Sequence, residues 1–310
     1  MYDYRSNSVF SAKDYLDNYR RGNYSPLFER KKGEMFLKTL PRLVREDSNI
    51  DMYAYAVMLY NFGDIQGKYK SLSIIEKLVD QHFVPAYNAY GIILYDGICI
   101  NKNAASAAKW FDKAAFNGFE IGKYNYAICL LKGDGVPRDV DRAMRLIKES
   151  SDAGYNKAQH AMGIAYYKGE NGFTKDVYTA FDYFKLAADN GNLKAQYLIG
   201  NMYLDGEACT KSMDKAIEYL RLAAEWGNTS AQSQLGDIFY FGKGVSKDMY
   251  NAHRYWLMAA ENGDARAMFN VGSMIYCQEV YTVNPSSGLD WIRKAAAAGN
   301  KSAKDFLKKI

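Results

Sequence analysis

Three hundred and ten residues, 48% hydrophobic and 15% aromatic, can bury a large core, which excludes a disordered chain. The 40 basic and 35 acidic side chains leave a net charge of +5, an excess too small and too dispersed to mark a nucleic-acid or anionic-lipid binder. No apolar run approaches the roughly 18 residues of a membrane span, and the opening MYDYRSNSVF carries Asp3 and Arg5 in place of a signal peptide's apolar core, so a soluble cytoplasmic protein is expected.

The first 48 residues show helix signals without a period. Ser11 precedes AKDYLDNYRR, with Gly22 after it, and Ser25-Pro26 opens LFERKKGEMFLKTL, so residues 1–48 read as an N-terminal helical cap. The run Arg30, Lys31, Lys32 reads as a solvated face, with a docking patch for an acidic partner as the alternative. Residues 49–83 read as a degenerate repeat, with Ala56 and His82 standing where later repeats carry glycine.

From residue 84 the chain is a tandem array. AYNAYGIILYDG at Ala86 returns as AQHAMGIAYYKG at Ala158, AQYLIGNMYLDG at Ala195, AQSQLGDIFYFG at Ala231 and AMFNVGSMIYCQ at Ala267. The internal glycine falls at Gly91, Gly163, Gly200, Gly236 and Gly272, with Ala127 in its place once, in steps of 36 or 37. A second frame ends at Gly118, Gly154, Gly191, Gly227, Gly263 and Gly299. Counting back from its glycine, apolar or small residues recur on one helical face, as at Ala216, Tyr219, Leu220 and Ala223. Asn103, Asp139, Asp176, Ser212, Asp248 and Asn284 precede these second helices and can accept from orphan first-turn amides, with Pro285 at the favoured first position. The terminal glycines suit a left-handed cap that lets the chain reverse.

Each of six repeats, over residues 84–300, is thus a pair of antiparallel helices. A glycine inside a helix costs about 1 kcal/mol, so its recurrence points to close approach of the partner helix. The aromatics Trp110, Tyr183, Tyr219, Tyr255 and Trp291 are expected against it, each burying about 150–250 Å². The tail KSAKDFLKKI, residues 301–310, starts another first helix but puts Lys308 in the glycine slot, which suits a solvated capping helix.

Little in the sequence points to chemistry. His82, His160 and His253 lie in different repeats without a second ligand at metal spacing, and Cys99, Cys129, Cys209 and Cys277 show no pairing pattern, so free structural thiols and no metal are expected. The loops GDGVPRD and GKGVSKD follow helices and lack phosphate-loop spacing, and Asp134, Asp139 and Asp141 do not reproduce a calcium loop, so no cofactor is expected. No serine or cysteine stands in a nucleophile motif.

One constellation stands out on the first helices, three residues before and one after the internal glycine, opposite the packing seam. Tyr124, His160, Tyr197, Ser233 and Phe269 hold the first position, and Ile128, Ile164, Asn201, Asp237 and Ser273 the second. Aromatic anchors among small polar residues have the composition of a protein-binding groove, although several of them could instead pack between repeats.

The joined pattern of AQYLIGNMYLDG, a loop such as GDGVPRD, and KAIEYLRLAAEWGN resembles the Sel1-like repeat, a relative of the tetratricopeptide repeat. The resemblance implies an all-α fold, a right-handed α/α superhelical solenoid, acting as a non-enzymatic adaptor. A partner protein would lie on the concave face, at Tyr124, His160, Tyr197, Asn201, Ser233, Asp237, Phe269 and Ser273. Bacterial members of the family include immunity proteins that neutralise effectors, so an immunity or regulatory protein occluding one effector is a narrower expectation. The rival from another class is a hydrolase using residues scattered over the groove.

Overall fold

The computed structural model describes residues 11–20, 30–279 and 286–310. Among them are 17 α-helices and a short 3-10 helix, with no strand. Contacts divide the chain into two compact units, Met1–Asn192 and Leu193–Ile310.

In the N-terminal unit, α1 (Ala12–Arg20) and α2 (Arg30–Thr39) pack on α3 (Asn49–Phe62). Ser11 begins α1 with a reciprocal cap, its hydroxyl accepting from Asp14 N while Asp14 Oδ2 accepts from Ser11 N at 2.7 Å. Tyr15 is buried and donates to Ala54 O at 2.8 Å, fixing α1 to α3. Gly22, Ser25-Pro26 and the side chains of Arg30, Lys31 and Lys32 lie outside the described residues. Then follow α4 (Ile65–Asp80), α5 (Val84–Asp96), α6 (Ala104–Phe116), α7 (Glu120–Lys132), α8 (Val140–Asp152), α9 (Asn156–Lys168) and α10 (Val177–Asp189). The C-terminal unit continues with α11 (Leu193–Asp205), α12 (Met213–Glu225), α13 (Thr229–Phe241), α14 (Met249–Glu261), α15 (Ala265–Tyr276), α16 (Ser286–Ala297) and α17 (Lys301–Leu307). Within each unit a first helix packs most closely on the second helix of its own repeat, and that on the first helix of the next: an α/α solenoid.

The chemistry of the helix ends follows the sequence. Asn103, Asp139, Asp176, Ser212 and Asp248 each accept from a first-turn amide, Asn103 from Ser106 N at 2.9 Å for example; Asn284 and Pro285 lie outside the described residues. At the other end Gly227, at φ 90°, lets its own N–H reach Ala224 O and Asn228 N reach Ala223 O, closing the last carbonyls of α12. His82 takes the same left-handed conformation at φ 57° without being glycine.

The mid-helix glycine is a close approach, but its partner differs from the expected one. A Cβ on Gly200 would lie 2.8 Å from Leu220 Cγ and 3.3 Å from Ala216 O. The corresponding partners of Gly91, Gly163, Gly236 and Gly272 include Phe111, Phe184, Trp256 and Ile292, each one residue beyond the expected aromatic. One residue is a turn of about 100°, which carries the expected aromatics off the seam and onto the residue three after the glycine. Tyr183 stacks on Tyr166 with ring centres 5.7 Å apart, Tyr219 on Tyr203 at 6.0 Å, and Tyr255 on Phe239 at 5.9 Å. Trp110 meets Tyr90 edge-on at 5.3 Å instead. Burying Leu220 completely contributes about 1.5–3 kcal/mol, more than the glycine costs.

Buried glutamines hold successive repeats in register. Gln159 Nε2 donates to Ser151 O and its Oε1 accepts from Asn190 Nδ2 at 3.0 Å. Gln232 repeats the arrangement with Ala224 O and Asn262 Nδ2, at 2.8 and 3.0 Å.

Candidate functional site

In the C-terminal unit the first helices α11, α13 and α15, with the loop after α13, enclose a groove of about 570 Å³. Tyr197, Ser233 and Asp237, three residues of the expected stripe, line it together with Gln234, Lys243, Asp264 and Arg266. Ser233 and Asp237 are one turn apart on α13, and Arg266 enters from the first turn of α15. Its Nη1 lies 2.9 Å from Asp237 Oδ2, and its Nη2 donates to Ser233 Oγ at 3.2 Å. From the seam side, Trp256 Nε1 donates to Asp237 Oδ1 at 3.1 Å and Ser233 O at 3.2 Å. Both carboxylate oxygens of Asp237 are therefore engaged, which makes it a group that positions Arg266 rather than a base. Asn201 belongs to the same array through Gln234, whose Nε2 donates to its Oδ1 at 2.7 Å, while Asn201 Nδ2 donates to Tyr197 O.

The array leaves bonding capacity facing the groove. Gln234 Oε1 has no donor among the described residues, but it is closed off from the groove. Arg266 is more than half exposed and uses two of its five N–H groups. Lys243 places its ammonium 5.2 Å from the Phe241 ring centre at the rim. Cationic donors and the Tyr197 ring are thus gathered over one surface.

The other stripe residues are dispersed. Tyr124 is half-buried, its ring edge-on to Tyr155 at 5.3 Å, and burial raises its phenol pKa. His160 packs on Phe184 at 5.7 Å. Ile128 lines a separate cavity of about 160 Å³, and Ile164 is half-buried. Phe269 meets Phe306 of α17 at 6.5 Å, and Ser273, partly buried, gives its carbonyl to Cys277 N at 2.8 Å. Tyr124, His160 and Phe269 thus spend aromatic surface on packing. Ser233 is itself only 3% exposed and presents little but its hydroxyl.

Arg266, Gln234 and Trp256 were not singled out by the sequence reading. Arg266 stands six before Gly272, on the face already marked by positions three before and one after the glycine. Extending the stripe one turn toward the helix start would have found it.

Among the described residues no three His, Cys, Asp or Glu side chains form a group that could hold a metal. The four cysteines are free thiols, and burial with the nearby Asp134 charge pushes Cys129 up to about 11, well away from a reactive thiolate. Burial lowers the His253 pKa, favouring the neutral ring. No helix among the described residues is long and apolar enough to cross a membrane.

The family described as Sel1 repeat matches residues 84–118, 121–155, 156–192, 193–228, 229–264 and 265–300, more than half the chain. Among solved structures, the chain is similar to a protective antigen of uropathogenic Escherichia coli with an SLR fold, at 24% identity and a TM-score of 0.67. That match covers 87% of this chain and 58% of the antigen, so the chain spans little more than half of that relative. It is also similar to a Sel1 repeat protein from Oxalobacter formigenes, at 26% identity and a TM-score of 0.65, over 79% of this chain and 99% of the other.

Proposed function

Because the chain belongs to the Sel1 repeat family, whose solenoids are protein-interaction scaffolds, we propose that it is a non-enzymatic adaptor holding a segment of one partner protein in the groove of α11, α13 and α15. The observation that carries this reading is the convergence of Tyr197, Gln234, Asp237 and Arg266 around one groove, with Asp237 spent on orienting Arg266. In this reading the partner lays a polar or acidic segment along the groove. A carboxylate or carbonyl meets Arg266. The narrower role is that of an immunity or regulatory protein that occludes a bacterial effector.

The test is affinity capture followed by calorimetry on the captured protein. Tyr197→Ala combined with Arg266→Ala should weaken binding by about 2 kcal/mol or more, roughly thirtyfold, with melting near that of the parent. Replacing Lys132, Lys168 and Asp205 on the loop edge by alanine should do much less, because exposed charges contribute little net affinity. If the loop-edge variant loses the partner and the groove variant keeps it, recognition belongs to the repeat edge. Protection from a captured effector's toxicity would support the narrower role; hydrolysis of a broad substrate panel by the purified protein would support the enzyme instead.

A further inference from the structure

The N-terminal unit contains a second concavity, of about 250 Å³, bordered by α3, α4, α5 and α7 and by the chain entering α9. Part of its wall is apolar, formed by Ile75, Ile92 and Ile93. Two polar side chains also line it from within the core. Asn88 is 2% exposed, and among the described residues its amide makes one hydrogen bond, its Oδ1 accepting from Asn125 Nδ2 at 2.7 Å. Its Nδ2 has no acceptor among them. Tyr155 is 8% exposed, and its hydroxyl likewise has no hydrogen-bond partner among the described residues. The exposed Lys157 stands at the mouth.

Two donors on one cavity, each without an acceptor among the described residues, point to an occupant with acceptors of its own. Asn88 Nδ2 and Asn125 Oδ1, a donor and an acceptor on bonded amides, match the carbonyl and the N–H of a single peptide group. The volume falls below the roughly 300–1,000 Å³ of drug-sized sites and suits one side chain with its backbone.

We propose that this cavity receives one apolar residue of an extended partner polypeptide, its side chain against Ile75, Ile92 and Ile93, its carbonyl on Asn88 Nδ2 and its N–H on Asn125 Oδ1. An acidic neighbouring residue then meets Lys157. The proposal rests on the protein-binding reading above and extends it to a second surface with a different specificity.

The full ¹⁵N-labelled chain is titrated with the blocked tripeptides acetyl-Gly-Leu-Asp-amide, acetyl-Gly-Ala-Asp-amide and acetyl-Gly-Leu-Lys-amide, and with free leucine, following the side-chain amide signals of Asn88 and Asn125. The Leu-Asp peptide should shift both signals saturably, with the Ala peptide and free leucine at least tenfold weaker. Asn88→Leu should abolish the response. Should that buried change fail to fold, the exposed Lys157→Glu provides the second variant, which should weaken the Leu-Asp peptide and strengthen the Leu-Lys peptide. Unmoved signals in the parent chain would overturn the proposal. So would free leucine binding as tightly as the blocked peptide, which would mark a small-molecule pocket, or indifference to Lys157→Glu. A blank titration sinks this cavity alone, because the groove at Arg266 is read by other variants.

Discussion

In the N-terminal unit the slot three before the mid-helix glycine holds Asn88, and the slot six before it holds Lys157 in another repeat. The C-terminal unit fills the same two slots with Ser233 and Arg266. Arg266 reaches back to Ser233 and Asp237, and Trp256 completes the set from the seam, so both Asp237 oxygens are engaged while Arg266 keeps N–H groups for a partner. Among the described residues Asn88 finds only Asn125, and its amide N–H groups border a cavity. The period decides where side chains from neighbouring repeats meet. Their chemistry decides whether the meeting presents an oriented cation, as at Arg266, or an open amide, as at Asn88.

The contrast breaks most visibly at the seam residue. Trp256→Ala should cost about 3–5 kcal/mol by urea denaturation, and Phe111→Ala in the other unit about the same, since both are large side chains filling the space beside a glycine. Trp256→Phe separates packing from polarity: it keeps most of the ring but removes the N–H shared by Ser233 O and Asp237 Oδ1, at a cost of about 1–2 kcal/mol. A Phe variant as stable as the parent would show that the indole does not hold the groove.

Next in size is Gly200→Val, which drives a branched side chain into Leu220 and the Ala216 carbonyl and should cost about 1–3 kcal/mol. At Ala127 the N-terminal unit already accommodates a Cβ, so Ala127→Gly should lose only about 1 kcal/mol of helix propensity. Melting of Gly200→Val within a degree of the parent would refute close approach as the reason for that glycine.

Much of this fold is written in local chemistry. The caps at Asn103 and Asp248, the reversal at Gly227 and the close approach at Gly200 each depend on one residue type in a repeating slot, so a single sequence displays them. The seam partner was misplaced by one residue because Tyr219 and Leu220 both belong to the buried face, and aromatic size favoured the wrong one. The groove was legible only in part. The stripe named the helix face bearing Tyr197, Ser233 and Asp237, but the bonds that cross between repeats at the site join residues 29 to 33 apart, as in Arg266 to Asp237 and Gln234 to Asn201. Which long side chain crosses from one repeat to another depends on reach and on the neighbour's identity, and periodicity carries neither.

Helix caps offer a finer comparison, because both units use aspartate in one slot. Asp248 accepts from the Asn251 backbone and side chain, and these bonds hold its carboxyl below the usual carboxylate range; Asp176 is held down likewise by Thr179. Asp248→Ala should cost about 1 kcal/mol at neutral pH. A lowered folded-state pKa means that the stabilisation is complete above the unfolded value of about 4 and fades as pH falls through the folded one. Asp248→Asn should therefore match the parent at pH 7 and lose less stability in acid. Parallel acid profiles for the two proteins would show that the charge adds nothing to the cap.

The smallest effect expected is a gain. His82 and Gln278 both sit at φ 57° in slots where other repeats carry glycine, one in each unit. A left-handed conformation costs an ordinary residue about 1–2 kcal/mol, whereas glycine adopts it freely but loses about 0.5–1 kcal/mol more chain entropy on folding. The difference predicts that Gln278→Gly, at an exposed turn, stabilises the protein by about 0.5 kcal/mol. His82→Gly should gain less, because the imidazole Nδ1 lies 3.3 Å from the Tyr87 hydroxyl and that contact would be lost. Melting temperatures of the two single variants measure the gap directly. If His82→Gly gains as much as Gln278→Gly, the Tyr87 contact contributes nothing.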